Sequence, residues 1–151
     1  MLTRRSTLGL LAAAPALGLA TTAAHAAEPQ TFQRSGLAIG GTDPVAYFTD
    51  GAPMMGDAAH AHDWNGATWI FANAANRDAF AAEPERFAPV FGGYCAFAAS
   101  RGYLAPTIPE AWTVYDNRLF LNANLRAREL WLAELPNVIA AGEANWPAIL
   151  G

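Results

Sequence analysis

The stretch His60-Ala61-His62-Asp63-Trp64-Asn65-Gly66-Ala67-Thr68-Trp69-Ile70-Phe71-Ala72 decides the fold class. Asn65-Gly66 is a pair that accepts the two positive φ angles of a type I′ turn, and the arms on either side suit pleated strands. Pairing about that turn sets Trp64 opposite Ala67, His62 opposite Trp69 and His60 opposite Phe71, so these six residues share one face. Asp63 and Thr68 then look the other way. A second hairpin is expected over Trp112 to Asn122, with Asp116-Asn117 as its turn and Trp112, Val114, Leu119 and Leu121 on a core face.

Around these hairpins the pattern becomes helical. Asn73 is placed to cap a helix running to about Ala82, and Pro84 opens a short turn through Phe87. Gly92-Gly93 leads into Tyr94 to Arg101, which stops at Gly102 and puts Cys95 in its first turn. Two further helices are expected, over Asn124 to Leu135 with Ala127, Trp131 and Leu135 at four-residue spacing, and over Val138 to Leu150 with Val138, Gly142, Trp146 and Ile149 repeating the idea. Pro44 to Phe48 reads equally well as a strand or a short helix. The expectation is an α+β fold: one small domain with two β-hairpins and several short helices.

The N-terminus carries a different signal. Arg4 and Arg5 precede an apolar run from Leu8 to Ala20, and Ala24-His25-Ala26 closes it as an A-x-A cleavage signature, which reads as a signal peptide over residues 1–26. The paired arginines in Thr3-Arg4-Arg5-Ser6-Thr7-Leu8 resemble a twin-arginine leader, the route for proteins exported already folded; an ordinary secretory leader is the alternative. Pro15 and Gly18 interrupt the apolar run, and it falls short of the roughly 18–20 residues of a membrane span. The expected location is therefore the periplasm or outside the cell, with no permanent membrane span after cleavage. Residues 27–35 read as a linker and 36–151 as the domain.

Charge narrows the partners. Cleavage removes two of the nine basic residues and none of the thirteen acidic ones, so seven against thirteen remain and the formal charge moves from −4 to −6. All nine basic residues are arginines, mostly set apart from one another, so there is no basic patch for a nucleic-acid backbone. No CxxC, HExxH, GxSxG or phosphate-cradling glycine loop is present, which leaves zinc-finger, metalloprotease, serine-hydrolase and nucleotide-binding readings without a foothold.

Cys95 is the single cysteine. A thiol at a helix start feels free amides and the positive end of the helix dipole, which suits metal ligation or nucleophilic attack; a small buried hydrophobe is the plain alternative. His60 and His62, the histidines left after cleavage, are the candidate imidazole partners, and Met54 and Met55 are soft thioethers in the preceding loop. Imidazole and thiolate together suit copper or zinc, and thioether adds a preference for Cu(I).

Four segments, Gly41-Thr42-Asp43-Pro44-Val45-Ala46-Tyr47-Phe48, His62 to Phe71, Phe91-Gly92-Gly93-Tyr94-Cys95-Ala96 and Ala144-Asn145-Trp146-Pro147, together resemble the YHS-domain family, in its exported (seleno)protein branch. The resemblance covers about residues 36–150. It implies a compact α+β domain associated with heavy-metal sensing and trafficking, copper above all. Tyr94 and Ser100 look like the first and last residues of the family's name, and Cys95 stands where the histidine might be sought. The seleno label implies relatives with selenocysteine at the Cys95 position, and a chalcogen there argues for ligation or redox work.

The sequence thus points first to a periplasmic metal-binding protein, more a binder than an enzyme, with Cys95 as anchor, His62 as partner and His60, Met54 and Met55 as lesser ligands. Copper is the expected ion, zinc the less favoured one, and a periplasmic metal donor or acceptor protein the expected macromolecular partner. Two alternatives stand beside it: a thiol redox protein using Cys95, and a non-catalytic interaction module presenting Trp64, Trp69, Trp112, Trp131 and Trp146.

Overall fold

The computed structural model describes Gly18 and residues 25–151, so most of the expected export signal lies outside the described residues. Among those described, no helix is long and apolar enough to cross a membrane. The domain is α+β, as expected, but it holds three two-stranded antiparallel hairpins and not two. The additional one pairs β1 (Gln33–Arg34) with β2 (Leu37–Ala38).

That small hairpin corrects the expected linker. Thr31 and Phe32 are buried, Phe32 N–H donates to Gly92 O at 2.8 Å, and the Tyr94 hydroxyl donates to Pro29 O at 2.9 Å. Glu28 N–H reaches Leu150 O at 2.7 Å. The polar composition of this stretch hid the one large apolar side chain, Phe32, that ties it to the core.

The strand pair β3 (Asp57–Trp64) and β4 (Ala67–Phe71) forms about Asn65 and Gly66, whose φ angles are 50° and 75°. Trp64 pairs with Ala67 and His62 with Trp69, and on the opposite face the Thr68 hydroxyl donates to Asp63 at 2.7 Å. The expected pairing of His60 with Phe71 does not form. A β-bulge lies between Asp57 and Ala61, and Phe71 faces Asp57 instead. The strand pair β5 (Trp112–Tyr115) and β6 (Arg118–Leu121) has the expected register, with Trp112 opposite Leu121 and Val114 opposite Leu119 about a left-handed Asp116-Asn117 turn.

Side-chain caps set the longer helices. Asn73 accepts from Asn76 N–H to start α2 (Ala74–Ala82), and Asn124 accepts from Ala127 N–H to start α5 (Leu125–Ala133). The ambiguous Pro44 to Phe48 run resolves as a one-turn helix, here α1 (Ala46–Thr49). Asp43, fully buried, decides this: Oδ1 accepts from Val45 N–H and Ala46 N–H at 2.8 and 3.3 Å, while Oδ2 accepts from Ala72 N–H and Asn76 Nδ2 at 2.9 and 2.8 Å. One carboxylate therefore starts α1 and joins it to the end of β4 and to α2. The expected helix over Val138 to Leu150 is shorter, α6 (Asn137–Asn145), ending where Pro147 follows Trp146.

Two apolar clusters fill the interior. The larger lies under the hairpins and includes Tyr47, Trp69, Phe71, Phe80, Leu119 and Leu121. The smaller gathers Phe91, Ala96, Ala99, Phe120, Trp131 and Val138 between β6, α5, α6 and the short α4 (Ala96–Ser100). Gly142 on α6 makes room for Phe91, whose ring lies 2.5 Å from where a Cβ would stand.

Candidate functional site

Cys95 is the N-cap of α4, one residue before its first turn, and is 2% exposed. Its Sγ accepts from Ala98 N–H at 3.5 Å and donates to Asn122 Oδ1 at 3.4 Å. The direction of the second bond is fixed from outside, because Phe97 N–H also donates to that oxygen at 3.0 Å. The sulfur therefore faces a carbonyl oxygen, an arrangement that uses the thiol proton. Asn122, at the end of β6, is fully buried, and its Nδ2 has no partner.

The other expected ligands lie elsewhere. His62 is half-buried with its ring edge-on to Phe80, centroids 6.2 Å apart. His60 sits in the β3 bulge with a buried Nδ1 that has no partner. Met54 and Met55 are exposed, and the Met55 sulfur receives the Thr42 hydroxyl at 3.9 Å. No hydrogen bond joins Cys95 to an imidazole among the described residues. The main packing of α4 is against α5, α6 and the 3-10 turn Val90–Gly93, whereas that of β3 is against β4 and α2. Among the described residues no group of three or more His, Cys, Asp and Glu side chains is placed to hold a metal ion.

Of the five tryptophans, Trp69 and Trp131 are core, with 1% and 0% exposure. Trp64, Trp112 and Trp146 are half-buried. Trp64 and Trp146 line one cleft of about 620 Å³ that runs between the tips of the two larger hairpins and the Val90–Gly93 turn. That turn is held in an unusual shape: Phe91, Gly92 and Gly93 have φ of 58°, 62° and 84°. A left-handed aromatic residue is strained and persists only where its surroundings fix it. Here the Phe91 ring is held by Gly142 and Phe120, and Gln30 O approaches Gly92 so closely that a Cβ would lie 1.8 Å away.

The charges around the cleft are not equivalent. Arg86 pairs with Glu83 at 3.1 Å and Arg118 with Glu143 at 2.9 Å, and each guanidinium also lies over a phenylalanine ring. Glu85 and Asp116 line the same cleft and make no ion pair among the described residues. In the sequence Glu85 lies in the short turn that Pro84 opens, and Asp116 enters only as a residue of the second hairpin turn. Their convergence depends on α3 (Pro84–Phe87) and the β5–β6 turn meeting across the cleft, which no local pattern encodes. No family model, curated protein or solved structure matches this chain.

Proposed function

We propose that this chain is an exported, YHS-like, non-catalytic binding module that works through the cleft between its hairpin tips. The observation that carries the reading is the cleft itself: about 620 Å³, walled by the half-buried Trp64 and Trp146 and edged by the strained Phe91 turn. Its size falls in the range of small-molecule sites, and mixed aromatic and polar walls are what such sites use for affinity and orientation. The test is a fragment screen by NMR on the mature domain, read at the indole N–H signals. Shifts concentrated on Trp64 and Trp146, and absent in Trp64→Ala, are expected; fragments that perturb only other surfaces overturn the reading.

Soft-metal binding, with copper as the ion and zinc less favoured, is the second reading, and one observation favours it: the unpartnered buried Nδ1 of His60, two residues from His62 on the same strand. Neutral imidazole nitrogens are the ligands this would use. Cys95 fits the ion less well, since its sulfur already caps α4 and bonds Asn122. A Cu(I) titration against a competing chelator separates the cases. Loss of binding in His60→Ala/His62→Ala with retention in Cys95→Ala is expected, and equal behaviour of wild type and the histidine variant refutes it.

A further inference from the structure

Building on the cleft reading, we infer that its ligand is a small organic cation, an alkylated ammonium group held against the indole faces and balanced by Glu85 and Asp116. The charges and the aromatic walls argue for this separately. The two arginines of the cleft are each matched by a glutamate, Arg86 by Glu83 and Arg118 by Glu143, while Glu85 and Asp116 are left over, so this group of six charged side chains carries a net −2. An anion entering would meet neutralised guanidinium groups and two free carboxylates. A cation meets the carboxylates directly.

Aromatic faces supply the second part of the recognition. A cation within about 6 Å of an indole face is attracted by the ring quadrupole, most strongly for tryptophan, and the attraction grows when the site is partly shielded from water. Trp64 and Trp146 lie far apart in the sequence and both line the cleft. Each is braced by neighbouring rings: Trp64 by Trp69 and Phe80, with centroids 6.0 and 5.7 Å away, and Trp146 by Phe91 and Tyr94 at 6.0 and 6.3 Å. Braced rings lose little freedom on binding, so the site is largely preformed. A strongly hydrated inorganic ion would gain little from these walls, whereas an alkylated ammonium presents apolar methyl groups and a positive charge together.

The experiment is a titration of the mature domain, followed by tryptophan fluorescence, with choline and with its uncharged isostere 3,3-dimethylbutan-1-ol. Choline is expected to bind at least tenfold more tightly than the alcohol. Glu85→Gln/Asp116→Asn should sharply reduce that preference, and Trp64→Ala should weaken both probes. Equal binding of choline and the alcohol overturns the cation while leaving the cleft as a binding site. Binding of neither, together with a fragment screen that finds no cleft occupant, overturns both.

Discussion

The Cys95 pocket and the hairpin cleft each hold the residue types that chemistry uses, yet they differ in how far those groups are already engaged. At Cys95 the sulfur bonds a helix amide and a buried side-chain amide. In the cleft the indoles of Trp64 and Trp146 are half-buried and two carboxylates have no ion pair among the described residues. A reactive residue type is informative only through its partners: engaged on every side it builds the fold, and left open it is free to bind.

The sharpest break in this comparison comes from the closed side. Asp43 is a carboxylate with four protein donors and no exposure, and Asp43→Ala strands all four; a loss of about 3–5 kcal/mol is expected by chemical denaturation. A loss below about 1 kcal/mol would mean that water replaces the carboxylate without penalty.

Next comes the cysteine. Cys95→Ala leaves Ala98 N–H and Asn122 Oδ1 each short of a partner and should cost about 1–2 kcal/mol. Cys95→Ser keeps both the cap acceptor and the donor, so it should recover most of that loss. If serine is as costly as alanine, hydrogen bonding is not what this position provides.

On the open side, Glu85→Gln and Asp116→Asn should each change stability by no more than about 0.5 kcal/mol, since both side chains are exposed and unpaired. Thermal melts of the two variants check this, and a loss comparable with Cys95→Ala would erase the contrast between the sites.

The smallest effect is a pH one. The Arg101 hydrogen bond holds the Glu134 carboxyl below its usual value, helped by the guanidinium charge. A depressed carboxyl stabilises the fold above its unfolded value and loses that contribution as pH falls through the folded one. The Tm of wild type should therefore fall slightly more steeply than that of Arg101→Ala between about pH 5 and 3, and parallel profiles would show that this exposed pair contributes nothing.

Much of the fold was legible because its signals are local. Asn65-Gly66 and Asp116-Asn117 name their turns, and Asn73 and Asn124 cap the helices they precede. The failures share a cause. The β3 bulge that displaces His60 from Phe71, the seating of Phe32 under Tyr94 and the four bonds of Asp43 all depend on partners distant in sequence. For the site, Cys95 at a helix start was legible, but Asn122, 27 residues away, determines what that sulfur does. Three of the cleft's aromatic residues, Trp64, Trp69 and Trp146, were already in view, and the pairing of its arginines, which leaves Glu85 and Asp116 unbalanced, came only with the tertiary structure.

The bond between Glu28 N–H and Leu150 O carries a kinetic consequence. Closing a loop of this length costs chain entropy before any contact compensates it, so such a contact follows the local hairpins and capped helices in time. During synthesis it waits until the last helix has left the ribosome. Pro29 and Phe32 can bond Tyr94 and Gly92 as soon as those residues emerge, so this N-terminal stretch is fastened in two stages, and Glu28 is the last of it to be held.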